Sequence, residues 1–283
     1  MTFIFDGQSL EDFGYIMLSD GDSQEENMAV SKMGYVNVKV PMSDVSHVVA
    51  TSYEENLTRT ILIVKNPCVF GDNLDLTNDD ISEMSKWLCR KTYKWFRYYD
   101  EDDLTDEVWY KVMCTIDKKE MGDAVVGLII TITADAPYGY TKEIVNTWTF
   151  PDITDPWGHP DRTSSYTIDV HSDEEGYIYP DITITISPDQ LSQDFTITNT
   201  YDGRQTKLGL VVSGDTFQFL GGDVQQLIPT FDSEAIYVRD ISHMYNYKQP
   251  RLCNQYNNYA NTFTVNCGCS VEMKYRGIRK VGL

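Results

Sequence analysis

Basic side chains are scarce in this sequence. Lysine and arginine together number 23 against 43 aspartates and glutamates, leaving a formal charge of −20. Surfaces that hold nucleic acid or an anionic membrane are built from cations that neutralise phosphate. Sequence-specific nucleic-acid binding is therefore excluded. Long apolar runs are missing as well. No stretch approaches the roughly 20 consecutive apolar residues that span a bilayer, and the N-terminus lacks the basic segment and apolar run of a signal peptide. No membrane insertion is expected, and the chain is expected to fold in the cytoplasm where it is made.

Residues that carry chemistry are equally thin on the ground. The sequence has no phosphate-cradling glycine motif, no nucleophile elbow, no paired-histidine metal helix and no calcium-loop spacing. Its four histidines (His47, His159, His171, His243) lie far apart, which favours solvated or structural roles over a base or a ligand. Cys267-Gly268-Cys269 offers two thiolates without the second pair that a closed zinc site requires. The six cysteines, Cys68, Cys89, Cys114, Cys253, Cys267 and Cys269, are dispersed in mostly apolar surroundings and read as free buried thiols. No catalytic, cofactor-binding or metal-ligating residue is assigned, and no enzyme is expected.

What the chain does contain is organised around residues 77–140. Thr77 stands where it can cap a helix whose first turn holds Asp79 and Asp80, with negative charge at the positive end of the dipole. Ile81, Met84, Trp87 and Leu88 then recur at helical spacing, and Arg90 and Lys91 follow at the other end. Tyr93–Tyr99 is an aromatic strand. Val108, Tyr110, Val112, Cys114 and Ile116 alternate on one face of the next, and 127–133 supplies a third. A helix of about three turns cannot bury its stripe alone, so it must lie on this sheet. The result is an α+β unit.

Ahead of it, Phe3-Ile4-Phe5 and 13–18 read as opening strands joined by a turn, and 19–28 as an exposed acidic loop. Met33–Val40 alternates weakly. The runs 45–50 and 57–65 bracket Glu54-Glu55 and read as a hairpin, and the unbroken Ile61-Leu62-Ile63-Val64 suggests a central strand buried on both faces.

At 283 residues, two domains are expected. Pro151, Pro156 and Pro160 interrupt any periodicity and place a linker at 148–165. This gives an N-terminal α+β domain over 1–147, a sheet or split barrel with one packed helix, and an all-β C-terminal domain over 166–283. Short strands at 166–170, 181–186, 195–199, 207–212, 216–220, 234–238, 262–265 and 270–275, with turn residues between them, suggest a sandwich or jelly roll.

Two surface features invite a functional reading. Asp100-Glu101-Asp102-Asp103 reads as a solvated hairpin tip. A cation site or the carboxylate pair of a glycosidase is the alternative, but no acidic pair is flanked by a recognisable sugar-binding frame. Tyr245, Tyr247, Tyr256 and Tyr259 cluster with Asn254, Asn257, Asn258 and Asn261. Such a loop can stack on a sugar or a protein, or can simply be exposed.

Three N-terminal segments, FDGQSLEDFGYIML (5–18), ISEMSKWLCRKTYKWFRYYDEDD (81–103) and ITITADAPYGYTKE (130–143), together resemble the distal tail protein family of bacteriophages with long non-contractile tails. The segments 176–186, 195–204, 213–222 and 261–281 resemble the strands of that family's galectin-like C-terminal domain. The acidic stretch 19–26 and the loop 242–259 depart from the pattern. The resemblance implies a virion structural protein at the tail tip, a homo-hexameric ring of N-terminal domains between the tail tube protein and the tail-tip protein, and C-terminal domains facing outward. Receptor-binding proteins or a host glycan would be the outer partners. The acidic charge agrees with a ring through which DNA passes without sticking. The alternative is a carbohydrate-binding module that grips host-wall glycan through the loop around Tyr256.

Overall fold

The computed structural model of the protein describes residues 2–18, 31–40, 42, 44–99, 107–150, 164–187, 193–222, 224–231, 244–256 and 258–283. Two compact units divide the chain. One comprises Met1–Lys142 together with Ile278–Leu283, and the other Glu143–Gly277.

In the first unit, β1 (Thr2–Phe5) and β2 (Gln8–Ser9) precede a 3-10 turn over Leu10–Phe13, and β3 (Tyr15–Leu18) follows. Next come β4 (Met33–Lys39), β5 (Ser46–Tyr53) and β6 (Thr58–Lys65), then α1 (Pro67–Phe70) and α2 (Asn78–Leu88). Strands β7 (Lys94–Tyr99), β8 (Tyr110–Met121), β9 (Ala124–Ala134) and β10 (Gly139–Tyr140) complete this part. Seven strands form one antiparallel sheet in the order β2-β1-β7-β8-β9-β6-β3.

The helix that packs on this sheet forms for the expected local reasons. Thr77 Oγ1 accepts from Asp80 N at 3.2 Å while Asp80 Oδ2 accepts from Thr77 N at 2.7 Å, a reciprocal capping box. Met84, Trp87 and Leu88 are buried on the side facing Phe3, Phe5, Phe96, Val112 and Ile130. Trp87 stacks on Phe3 and Phe13, meets Phe5 edge-on, and donates from Nε1 to the Phe5 carbonyl at 3.3 Å.

The second unit begins with β11 (Ile144–Phe150), β12 (Ser164–Asp169), β13 (Gly176–Ile178) and β14 (Asp181–Ile186). It continues through β15 (Gln193–Asn199), β16 (Arg204–Val211), β17 (Thr216–Leu220) and β18 (Gln226–Thr230), and ends with β19 (Leu252–Asn254), β20 (Ala260–Val265) and β21 (Cys269–Tyr275). A five-stranded sheet, β11-β21-β14-β17-β18, and a four-stranded one, β12-β20-β15-β16, share one core. Ile182, Ile184 and Phe217 from the first sheet and Phe195, Ile197 and Phe263 from the second are all essentially inaccessible. After this sandwich, β22 (Ile278–Arg279) returns to the first unit and pairs with β10.

Several sequence expectations change. The expected hairpin of 45–50 with 57–65 does not form; β5 pairs instead with β4, as a two-stranded sheet of its own. β6 is not central but next to the edge, and only Ile61, Ile63 and Lys65 of its final run are buried, while Leu62 and Val64 on the other face are half-buried. The division of the chain also differs from 1–147, 148–165 and 166–283. Residues 144–150 are a strand of the sandwich, whose partner β21 fixes their register, and 278–283 lie in the first unit. Residues 164–165 of the expected Pro-rich linker open β12, while its residues 151–163, the strand expected at 234–238 and the acidic loop 19–28 lie outside the described residues.

Candidate assembly interface

The β4–β5 ribbon has the wrong surface for an isolated element. Val36 and Val38 share one face of β4, opposite Ala50 and His47 of β5. Tyr35, Val36, Val38, Val40, Val45, Val48 and Val49 are between 49% and 65% exposed. Its base is tied down, since Ser31 Oγ donates to the Glu55 carbonyl at 2.7 Å and Tyr53 meets Tyr138 edge-on. Among the described residues, each strand of the ribbon is paired only with the other. Two-stranded hairpins are marginal in water without a surface to pack on, and clustered exposed apolar residues mark interaction sites.

A second apolar surface lies on the seven-stranded sheet. Leu18 stands beside Leu62, and Leu62 beside Ile129, across three adjacent strands; Ile16 stands beside Val64. All are on the face opposite Ile61, Ile63, Leu128 and Ile130, and none belongs to the core under α2. Gly127 fits the same surface, since a Cβ there would lie 3.1 Å from both Leu62 and Val64 side chains.

The tyrosine–asparagine cluster of the second unit separates into two kinds of residue. Asn261 is fully buried: Nδ2 donates to the carbonyls of Cys253 and Tyr259, and Oδ1 accepts from Cys253 N and Asn199 Nδ2. Asn254 donates to the carbonyls of Ser172 and Glu174. These two asparagines fasten loops and are unavailable to a ligand. Tyr247, Tyr256 and Tyr259 are exposed, and Tyr259 lies 5.0 Å from the His171 ring. Tyr245 is half-buried, and burial pushes its hydroxyl up to about 12. The Asn258 backbone closes a turn with Gln255, while Asn257 lies outside the described residues.

Sequence reading missed a neighbouring group drawn from three segments. The Arg251 guanidinium sits 3.5 Å above the Tyr177 ring and 2.8 Å from Asp202 Oδ2. Burial opposes ionisation of Asp202, but hydrogen bonds from Arg204 N and Arg251 outweigh it and hold the carboxyl below its ordinary value. No local pattern announces such a group.

Other candidates are quickly placed. His47 is exposed on β5, and His159, His243 and Asp100–Asp103 lie outside the described residues. The six cysteines are unbridged; Cys114, Cys253, Cys267 and Cys269 are buried, while Cys68 and Cys89 are exposed. Burial raises the Cys269 thiol well above its usual range, which makes it a poor ligand or nucleophile. Among the described residues, no group of three His, Cys, Asp or Glu side chains is placed to hold a metal ion, and no helix is long and apolar enough to cross a membrane.

Two family models match the chain, one described as a phage tail protein N-terminal domain over residues 1–136 and one as a phage tail C-terminal domain over residues 158–275. This chain belongs to that family of phage tail proteins. It is therefore a virion component, from a family of structural proteins. Among solved structures, SPP1 Dit, a paradigm of the hub adsorption apparatus in phages that infect Gram-positive bacteria, aligns with a TM-score of 0.60 at 12% identity over 97% of this chain and 98% of its own. The likeness is one of fold, a mostly β chain with few helices. A chain of the phage p2 baseplate in its activated conformation with Sr aligns at 8% identity and a TM-score of 0.48 over 97% of each chain. No curated protein matches by sequence.

Proposed function

We propose that this tail protein is a distal tail hub. Six copies close a ring through their first units, joined to the tail tube protein on one side and the tail-tip protein on the other, at the tip of a phage tail assembled in the bacterial cytoplasm. The observation that carries the reading is the β4–β5 ribbon, whose valines stand in water in the single chain. A second copy is the natural cover, because a head-to-tail contact repeated around an axis buries every copy's ribbon and leaves none over. The face with Leu18, Leu62 and Ile129, outside the core under α2, gives such a ribbon an apolar surface to meet. The acidic charge suits a passage for DNA, since like charges keep phosphate off the wall. The second, galectin-like unit would then serve receptor-binding proteins.

Native mass spectrometry and electron microscopy of the purified full chain test this reading. Sixfold rings are expected at high concentration or with tube or tip protein added. A monomer under all of these conditions removes it.

Tyr256, 84% exposed, favours a second reading for the outer unit, carbohydrate binding by stacked tyrosine rings. Binding of the full chain on a glycan array, lost on Tyr256→Ala and Tyr259→Ala, supports it; a blank array removes it.

A further inference from the structure

The whole second unit lies in sequence between Lys142 and residues 278–283, yet those residues are part of the first unit. Ile278 pairs with Tyr140 and Arg279 with Gly139. Beyond this short ladder, Tyr110 Oη donates to the Gly282 carbonyl at 2.7 Å, with the Val281 carbonyl 3.5 Å away, and Arg59 Nη1 donates to Leu283 O at 3.3 Å. The Leu283 side chain is 8% exposed and joins the core that holds Phe3, Phe96 and Trp87. The segment is held by backbone, side chains and core at once.

Tyr110 is the centre of this arrangement. A Cβ on Gly139 would come within 2.9 Å of Tyr110 Cε1 and closer still to Val108, so β10 rests directly on the tyrosine ring and only glycine fits there. The same ring's hydroxyl holds 281–282. Burial, followed by the nearby Tyr98, pushes that hydroxyl up to about 12, so it remains a proton donor throughout the physiological range. Without 278–283, the groove beside Tyr110 loses its apolar filling and its acceptors, and β10 loses its pairing with β22, keeping the bridge of Tyr140 to Trp109.

We infer that the first unit carries a peptide-binding groove built for the chain's own residues 278–283, and that ring assembly waits until this groove is filled. The segment is synthesised only after the second unit. A first unit emerging from the ribosome is therefore incomplete until its outer unit exists, and chains lacking that unit are kept out of the ring. The gating half rests on the ring reading above; the groove half does not.

The test compares the full chain, the full chain carrying Leu283→Asp, and a chain ended at Gly277. Hydrogen exchange reads β8 and β10, and native mass spectrometry reads the oligomer. Both altered chains are expected to exchange at least about tenfold faster at these strands and to lose the ring. A synthetic peptide of residues 276–283 should restore both properties to the shortened chain, while the same peptide with Leu283→Asp should not. Tyr110→Phe, which removes only the hydroxyl, takes over if the shortened chain is insoluble. Unchanged exchange in the altered chains overturns the groove. Full ring formation despite lost protection overturns the gating. A full chain that never forms rings removes the gating together with the ring reading, while exchange still decides the groove.

Discussion

Lys65 Nζ lies 2.8 Å from Asp80 Oδ2, and that one oxygen also accepts from the Thr77 amide and hydroxyl. A single carboxylate thus closes the helix cap and neutralises a lysine that is only 3% exposed. Burial by itself would raise the Asp80 carboxyl, but hydrogen bonds from Lys65 and from Thr77 outweigh it and lower it. Asp80→Asn leaves a buried ammonium without its counter-charge and is expected to cost about 3 kcal/mol, within the range for breaking a buried pair and weakening a cap. Urea unfolding at pH 7 measures it.

The same pair sets a pH dependence. A carboxyl whose folded value is lowered adds stability that is complete above its ordinary value, 3.8, and disappears as pH falls through the lower folded value. The stability difference between the native protein and Asp80→Asn should therefore be constant from pH 7 to about 5 and shrink below pH 4. A difference that grows on acidification would contradict the assignment.

Trp87 joins helix and sheet through three aromatic contacts and one hydrogen bond. Trp87→Ala is expected to destabilise the first unit by roughly 3–5 kcal/mol, as large-to-small core changes do. Loss of assembly with unchanged unfolding would instead place the ring at a subunit boundary.

Substitution of the ribbon should do the reverse. Val36→Lys combined with Val48→Lys places two cations on exposed positions, where surface changes stay within about 0.5 kcal/mol. Thermal unfolding should be unaltered while rings disappear from native mass spectra. A double variant that still assembles excludes this ribbon as the subunit contact.

In the second unit, Asn261→Ala leaves Cys253 N and Asn199 Nδ2 without their buried acceptor. At about 1–3 kcal/mol for each orphaned group, the sandwich should lose several kcal/mol by calorimetry. Tyr256→Ala, at an exposed site, should lose almost none.

The parts of this fold that were legible in the sequence are those fixed by neighbours in the chain. Thr77, Asp80 and the Met84-Trp87-Leu88 stripe state a helix within twelve residues, and the Ile-Thr alternation of 181–186 states a strand with one buried face. Pairing was not legible. The unbroken apolar run of β6 signals two buried faces, but Leu62 and Val64 on the second face are only half-buried. Lys65 gives no hint of burial, because its partner comes from the helix cap rather than from its own strand. Residues 278–283 form two ladder pairs and no periodic pattern, and nothing local assigns Leu283 to a core built from the beginning of the chain.

Tyr140 and Ile278 are paired partners in the first unit, and Ile144 and Tyr275 are paired partners in the second. The entry and exit of the sandwich therefore lie side by side, like the two ends of an exchangeable cassette. A lineage can replace everything between them with another module of similarly close ends and leave the scaffold's own ladders untouched. The inserted module is in this way free to change on a timescale different from that of the scaffold that carries it.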